Sequence, residues 1–555
     1  MFHKNKKIIV IIVALAAILL IVDRYYWAQI SQWREDQATN IWLGYTAKIG
    51  DMPVGLISSR NIPNPNGMLL LGSILSILPN LLSISFFLGI VQIILLVLVG
   101  WRAFGREWQY SLLVIIPPLV SIVLRSSSIE FWNQYIITLP NIFFIYWALK
   151  YLQDRSLWNI LPITILTLMA PSLYLAGIVN ALAMTALTLG LVIFARPRME
   201  DFWFVVILIL AVIFTSIYLT WIPYFQNVPL EQLLNYNKVR SGPVAMFRVA
   251  WESLFDLPIY TTFQWAEKST IEKAIKHADP RLISFSTQIL IRLVGRIYLA
   301  QAVFAFLTFA YALIDTLRKN RQEQISGSIV NISAARIVLL SAAFIVVSVT
   351  FSSWLEGPSW VDGQRPDQFV QFLPMFLYII FPLPFVIISE GLTKKIVSRI
   401  SFVVLVLFVL ANLFAGFGMI HDHLVYRGDV LTDADVPLTN KMRVIEFIAE
   451  DWSRHSSSNI IPVDYDIGGD KWDLFPQSGN GLLQWYPAPM TEGRYFDYEL
   501  LRRYGLTNQQ EGIQLRSFGD ARYLITYAFE SPPQPNGRKI SHYIFGRLRV
   551  SILDQ

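Results

Sequence analysis

Residues 67–106 read GMLLLGSILSILPNLLSISFFLGIVQIILLVLVGWRAFGR, and this stretch decides how the chain crosses a membrane. Its second half contains an apolar run, 84–101, close to the ~20 residues that span a bilayer core. Its first half, 67–82, is shorter. Arg102 and Arg106 follow, and basic residues beside spans mark the cytoplasmic side. Residues 67–82 are therefore predicted to form an interfacial or re-entrant helix, because a second crossing would place these arginines and every later basic cluster outside.

The composition is that of an integral membrane protein. Of the 555 residues, 54% are hydrophobic and only 15% are charged, and the mean hydropathy is +0.47. These values exclude a soluble protein. The formal net charge of +6 reports membrane orientation rather than binding to nucleic acid. The chain has no cysteine, which excludes disulfides and thiolate chemistry.

Apolar runs predict an α-helical polytopic membrane protein with about eleven transmembrane helices, a cytoplasmic N-terminus and an outer C-terminus. The first run, 8–22, follows a basic segment and lacks a small-residue cleavage site, so we expect a retained anchor rather than a signal peptide. The other predicted spans are 84–101, 109–124, 131–151, 157–172, 174–194, 202–224, 293–317, 336–352, 369–390 and 399–420.

The part after the last predicted span differs in kind. We expect residues 1–420 to form the transmembrane domain, with an outer loop at 24–83 containing juxtamembrane helices. Residues 421–555 are expected to form a small extracytoplasmic α/β domain. Within it, apolar side chains at helical spacing predict a helix over 442–452. Runs of β-branched and aromatic residues predict strands at 459–464, 521–527 and 542–553.

Glu35 and Asp36 stand just outside the first span, before a segment of helical character. The helix dipole favours carboxylates at a helix start, and acids near membrane depth tend to be functional. Alternatively, the pair belongs to a solvated loop and serves only solubility. The turn-rich segment 61–67 then leads into the interfacial helix. A second outer connection, 125–130, is predicted to be a tight turn that ends at Glu130.

This order of elements resembles the GT-C superfamily of lipid-linked glycosyltransferases, which includes protein O-mannosyltransferases and aminoarabinose transferases. Members have an N-terminal span, an outer loop that opens with an Asp-Glu-type pair, an alanine-rich helix, a Pro-containing stretch and an interfacial helix. The resemblance covers the layout of residues 1 to about 420, and residues 421–555 match the family's outer domain. The pair is Glu-Asp in this chain, so either acid fits the catalytic position.

The resemblance implies a glycosyltransferase that moves a sugar from a polyprenyl-phosphate donor to an acceptor at the extracytoplasmic face of the plasma (inner) membrane, with inversion. Glu35 or Asp36 would be the general base that activates an acceptor hydroxyl or amine. Glu130 would orient the acceptor or the base; otherwise it is an interfacial helix-start carboxylate. Arginine suits a departing phosphate, and Arg365 lies in the loop where the family often places a basic residue; otherwise Arg365 snorkels.

Four further residues are candidate ligands. Lys48 and Arg60, in the first outer loop, are candidate contacts for the donor phosphate, or else solvated anchors at the headgroups. Asn133 and Gln134 follow Glu130 by about one helical turn and are candidate sugar-binding residues. Alternatively, these two side chains bond neighbouring helices.

We expect no cofactor. His421 and His423 have ligand spacing for a metal, but no further ligand cluster accompanies them. The less favoured alternative is a divalent cation on the acidic pair, as in oligosaccharyltransferases, which show an additional acid-x-acid motif in the second outer loop. In this chain that connection offers Glu130 alone, which favours a metal-independent mechanism. The chain lacks a Gly-rich phosphate loop, which argues against nucleotide use. The expected partners are a lipid-linked sugar donor, membrane lipids and an acceptor protein, lipid or glycan, without nucleic acid.

Two alternatives stay open. A transporter or flippase of a lipid-linked or polar substrate would use polar groups near the membrane midplane and often internal repeats. In this sequence the charges cluster at the membrane edges and no repeat is visible. The second alternative is a non-catalytic membrane assembly protein that keeps the fold and binds a partner through its outer domain.

Overall fold

In the computed structural model of the protein, the described residues are mainly helical and end in a small sheet. They are residues 6–31, 33, 35–46, 54–56, 63–104, 108–131, 136–229, 286–287, 289–290, 293, 340, 343–344, 347, 392–425, 436–466, 494–508, 522–528 and 540–553. The helices are α1 (Lys6–Gln29), α2 (Glu35–Thr46), α3 (Gly67–Leu75), α4 (Leu81–Phe104), α5 (Trp108–Val120), α6 (Ile122–Ile129), α7 (Thr138–Asp154), α8 (Ile160–Leu173), α9 (Ile178–Phe194), α10 (Phe202–Ser216), α11 (Ile222–Asn227), α12 (Leu392–Val425), α13 (Leu438–His455) and α14 (Arg494–Tyr504).

Three stretches of the described chain are long and apolar enough to cross a membrane. They are Leu81–Phe104, Phe202–Asn227 and Leu405–Leu424, and they coincide with three of the predicted spans. Leu157–Leu173 and Ile178–Ile193 are shorter apolar helices at two further predicted spans. The predicted spans at 293–317, 336–352 and 369–390 lie almost entirely outside the described residues. The chain is therefore an integral membrane protein, and the number of eleven spans stays a prediction.

The predicted span at 109–124 is divided into two helices. Helix α5 ends soon after Pro117 and Pro118, which cannot donate backbone hydrogen bonds and crowd the preceding turn. Ser121 then caps α6 by accepting a hydrogen bond from a backbone N–H of its first turn. The predicted tight turn at 125–130 is wrong, because α6 occupies most of it.

Helices α2 and α3 pack backbone to backbone across two glycines. A Cβ atom at Gly44 would lie 2.7 Å from the carbonyl oxygen of Leu69, and one at Gly72 would lie 2.8 Å from that of Asn40. The Ser73 hydroxyl donates to the carbonyl of Gly44 across the same crossing. Helix α3 has nine residues, or about 14 Å at 1.5 Å per residue. A helix of that length cannot cross a hydrocarbon core about 30 Å thick, which agrees with the prediction of an interfacial or re-entrant helix.

We expect Gly44→Ala to destabilise the protein by about 1–3 kcal/mol, the usual cost of overpacking. Its added methyl group meets main-chain atoms of α3, which cannot rotate away. Gly190→Ala is the matched control, since a Cβ at Gly190 has no atom within 4 Å. The apparent Tm in detergent measures both. An unchanged Tm for Gly44→Ala would contradict the close helix crossing.

The strands of the C-terminal part are β1 (Ile460–Ile461), β2 (Val463–Asp466), β3 (Thr507–Asn508), β4 (Tyr523–Tyr527), β5 (Ile540–Phe545) and β6 (Leu548–Leu553). Four of them form a mixed sheet in the order β2-β4-β6-β5. Strands β2 and β4 are parallel, whereas β6 is antiparallel to both β4 and β5.

Two predicted strands are interrupted. The predicted strand at 542–553 is a hairpin, because Gly546 adopts φ +62° and reverses the chain between β5 and β6. The predicted strand at 459–464 divides at Pro462, which has no N–H to donate to a ladder. The predicted strand at 521–527 agrees with β4, and the predicted helix at 442–452 lies within α13.

One hydrophobic core joins this sheet to the segment between α1 and α4. It contains Trp33, Leu69 and Leu81 from the N-terminal part and Ile445 and Tyr523 from the C-terminal part. All five side chains are nearly or fully buried. The C-terminal part therefore packs directly on the segment that begins with the acidic pair.

A buried carboxylate lies at this junction. Glu499 of α14 is fully buried, and its Oε1 accepts a hydrogen bond of 2.5 Å from the backbone N–H of Leu81 at the start of α4. Its Oε2 has no hydrogen-bond partner within the described ranges. Burial raises the pKa of Glu499 to about 8, opposed by the Leu81 N–H and by Arg503 and Arg502, and reinforced by Glu446.

We expect the protein to lose stability as the pH rises towards 8. The folded pKa of Glu499 lies above its ordinary value of 4.5, so the folded state holds a proton that the unfolded state releases. The stabilisation is complete below pH 4.5 and is lost as the pH rises through 8. At about 1.4 kcal/mol per pKa unit it amounts to a few kcal/mol.

Glu499→Gln tests this expectation, because it keeps the acceptor for Leu81 without a titrating proton. The Tm of the wild type should fall from pH 5 to pH 8 more steeply than that of the variant. Glu450→Gln, at a side chain that is 66% exposed, should follow the wild type. Parallel curves for wild type and Glu499→Gln would contradict the assignment.

Candidate active site

The chain leaves α1 through a short loop that ends at the acidic pair. The backbone N–H groups of Ile30 and Ser31 close the last turn of α1, and α2 begins at Glu35. Trp33 has φ +24°, a conformation uncommon for a bulky residue and one that persists only where surrounding contacts hold it. Glu35 and Asp36 are the first two residues of α2, as predicted; their side chains lie outside the described structure.

The Glu130 carboxylate lies against this helix start. It is 5% exposed. Its Oε2 accepts a hydrogen bond of 2.7 Å from the side-chain amide of Gln37, and its Oε1 accepts one of 3.3 Å from the Ser31 hydroxyl. Gln37 directly follows Asp36 in the first turn of α2. The fold therefore brings Glu130 to the helical turn that the acidic pair begins, across more than 90 residues of sequence.

Trp33 anchors the loop in the membrane part. Its indole Nε1 donates to the Ser85 hydroxyl of α4 at 2.8 Å, and its ring stacks on Phe131 with centroids 6.1 Å apart. Ser85 in turn donates to the Ser31 hydroxyl at 3.3 Å. Contacts with both ends of the loop thus fix the direction in which α2 starts. Sequence reasoning missed Ser31, Ser85 and Gln37, since single polar residues beside a span carry no distinctive pattern.

A buried ionic cluster lies deeper along α1. The Asp23 carboxylate accepts hydrogen bonds from Arg24 at 2.8 Å and from Arg125 of α6 at 2.7 Å. Arg125 also donates to the main-chain carbonyl of Asn412 in α12 at 2.7 Å and lies 5.1 Å from the ring centre of Trp27. Both guanidinium groups are almost fully buried. The cluster therefore ties α1, α6 and α12 together below the candidate site.

This cluster corrects the sequence-based picture of Arg125 as part of an outer turn. Two arginines share one aspartate, which leaves a net charge of +1, and the Nε atoms of both lack a hydrogen-bond partner in the part of the chain that the structure describes. Backbone groups pack tightly around them: a Cβ on Gly89 would touch Arg24 at 3.0 Å. The sequence feature that could have indicated this cluster is the pair of charged residues Asp23 and Arg24 at the end of an apolar run. Charged residues at membrane depth usually have a functional or structural partner.

The remaining predicted ligands lie outside the described residues. They are Lys48, Arg60, Asn133, Gln134 and Arg365. Of the pair with metal-ligand spacing, His421 bonds its neighbour Asp422 at 3.3 Å, and His423 bonds the carbonyl of Met419 at 2.9 Å. No group of three or more metal-ligating side chains occurs among the residues described.

Comparisons with known proteins add a likeness in overall structure. No protein-family model and no curated protein matches the chain. Among solved structures, the chain is similar to the crystal structure of ArnT from Cupriavidus metallidurans bound to undecaprenyl phosphate. The two share 10% sequence identity with a TM-score of 0.47, over 98% of this chain and 97% of that chain. At this level the likeness carries no argument about activity, which rests on the residues of the chain itself.

Proposed function

We propose that this chain is a membrane glycosyltransferase that moves a sugar from a polyprenyl-phosphate donor to an acceptor at the extracytoplasmic face. The observation that carries the proposal is the bond between buried Glu130 and Gln37 in the first turn of the helix that Glu35 and Asp36 begin. The proposal assigns these three acidic residues to one site at the end of α1. The linkage between the sugar and the lipid phosphate would lie at that level of the membrane.

In the proposed reaction, the carboxylate of Glu35 or Asp36 accepts a proton from the acceptor hydroxyl or amine. The acceptor atom attacks the anomeric carbon, the bond from that carbon to the phosphate oxygen breaks, and the lipid phosphate leaves with the electron pair. Attack from the side opposite the phosphate inverts the configuration. The phosphate is a weak base and leaves without a proton, so it gains most from a nearby cation.

The roles of the other predicted residues belong to the same proposal. Arg365, Arg60 and Lys48 are proposed to contact the donor phosphate, and Asn133 and Gln134 to bind the sugar. The reaction as written needs no metal ion.

The proposed topology has about eleven spans, with the N-terminus in the cytoplasm and the C-terminal part outside. It rests on the basic clusters, which all fall on the cytoplasmic side if residues 67–82 do not cross the plasma (inner) membrane. The short length of α3 supports that condition.

The test is transfer by the purified protein in vesicles, with polyprenyl-phosphate pentose and hexose donors and mixed acceptor lipids, peptides and glycans. Release of polyprenyl phosphate together with a glycosylated product is the expected result. Movement of the intact donor between leaflets without cleavage would overturn the proposal in favour of a flippase. Absence of both cleavage and movement would favour the assembly protein.

A further inference from the structure

Ser31 and Trp33, which precede the acidic pair, are also held from the C-terminal part of the chain. We name these residues the acid loop. Helix α13 reaches it at two points. The backbone N–H of Leu438 donates to the carbonyl oxygen of Ser31 at 3.2 Å, and the Nζ atom of Lys441 donates to the carbonyl oxygen of Trp33 at 3.2 Å. Both contacts bridge about 400 residues of sequence.

Lys441 is an unusual residue at this position. It is fully buried, whereas lysine is among the residue types least often buried without a partner. Taking an ammonium group out of water is costly, and an apolar side chain of similar length would fill the same volume at lower cost. Its neighbours Met442, Val444 and Ile445 already supply the apolar face of α13. Packing alone therefore does not account for a lysine.

What the lysine supplies is a fixed donor at the carbonyl of Trp33, the residue with the uncommon backbone conformation. Glu35, the first residue of α2, comes two positions later. Further hydrogen bonds of the loop, with Ser85 and Glu130, come from the membrane part. Without Lys441, the carbonyl of Trp33 would lose this donor, and the bond from Leu438 to Ser31 would remain.

We propose that Lys441 is a positioning residue, through which the C-terminal part orients the acid loop and the start of α2. The inference rests on the proposed function, since it assigns Lys441 to the geometry of Glu35 and Asp36. Lys441 acts on the base through the backbone of the loop. The C-terminal part is then a component of the catalytic apparatus.

The first test is the kinetics of Lys441 variants. Lys441→Met should lower kcat by 10–10²-fold, as expected when a catalytic group moves by about 1 Å, while the donor KM changes by less than about two-fold. Lys441→Arg, which keeps a charged donor, should recover part of the loss. Arg454→Met is the matched control on the same helix, at a side chain that is 73% exposed. Equal activity of Lys441→Met and Arg454→Met would overturn the inference.

The second test does not depend on transfer activity. The chain has no cysteine, so Ser31→Cys places one thiol in the acid loop, at a residue that is fully buried. A membrane-impermeant maleimide should label this thiol at least ten-fold faster when Lys441→Met is added, and at an unchanged rate with Arg454→Met. Where Lys441→Met lowers the Tm strongly, Lys441→Gln replaces it and should give the same acceleration. Unchanged labelling would overturn the positioning role, whether or not the protein transfers a sugar. Accelerated labelling of a protein that transfers no sugar would overturn the proposed function alone.

Discussion

Replacement of the catalytic member of the acidic pair is expected to lower kcat for sugar transfer by roughly 10²–10⁴-fold, the usual contribution of a general base. Glu35→Gln and Asp36→Asn are measured separately, because either acid fits the role. Each substitution keeps the size of the side chain and removes its ability to accept a proton. The base acts on the acceptor, so the donor KM should change by less than about two-fold. Initial rates of polyprenyl phosphate release give both parameters.

Glu130→Gln is expected to have a smaller effect, up to about 10²-fold in kcat. The carboxylate accepts hydrogen bonds from both Ser31 and Gln37, whereas an amide has a single acceptor oxygen. One of these donors then loses its partner and the helix start shifts. Glu450→Gln, at an exposed side chain of α13, is the control and should keep its rate.

Full activity of both Glu35→Gln and Asp36→Asn would contradict the assignment of the general base.

The second large effect concerns stability. Asp23→Asn leaves the buried guanidinium groups of Arg24 and Arg125 without a counter-charge. Removing one partner of a buried ionic group costs about 3–5 kcal/mol, because the charge that remains is desolvated and unpaired. We therefore expect the Tm in detergent to fall strongly and the yield of folded protein to drop.

The charge balance of the cluster predicts an order among its variants. Asp23→Asn raises the net charge from +1 to +2, whereas Arg125→Met lowers it to zero and leaves the pair of Asp23 with Arg24 intact. Arg125→Met should therefore cost less than Asp23→Asn, although it also loses the bond to the carbonyl of Asn412. The double variant restores +1 and should be more stable than Asp23→Asn alone. Equal losses for both single variants would show that charge does not govern the cluster.

The exposed pair of Glu450 and Arg454 provides the comparison. Its side chains are 66% and 73% exposed, and such surface pairs contribute about 0–1 kcal/mol. Glu450→Gln should therefore leave the Tm nearly unchanged in the same assay. A fall as large as that of Asp23→Asn would contradict the role given to burial.

The parts of the fold that could be predicted from the sequence are those set by residues that are neighbours along the chain. The apolar run at 84–101 predicts the span of α4, and helical spacing at 442–452 predicts α13. The start of α2 at Glu35 was likewise predicted from its neighbours. The hairpin at 542–553 was missed, because apolar and β-branched residues continue on both sides of Gly546 and hide a two-residue turn.

The contacts within the candidate site, by contrast, are made between residues that are distant along the chain. The sequence marked Glu35, Asp36 and Glu130 as candidates, but it could not tell which side chains bond them. Gln37 and Ser31 meet Glu130 only because α1, α2 and the end of α6 converge. Arg125 was read as part of an outer turn, since its partners Asp23 and Asn412 lie in other helices.

The sequence by itself determined that this chain is a helical membrane protein, where three of its spans lie and where its acidic pair stands. Apolar length and helical period are properties of contiguous residues, so they can be read without a fold. Only the tertiary structure decided which group each buried charge contacts. Asp23 binds two arginines, and Lys441 binds the backbone carbonyl of Trp33. Burial makes an unpaired charge costly, and the partner that relieves the cost comes from whichever segment packs against it, at any distance along the chain.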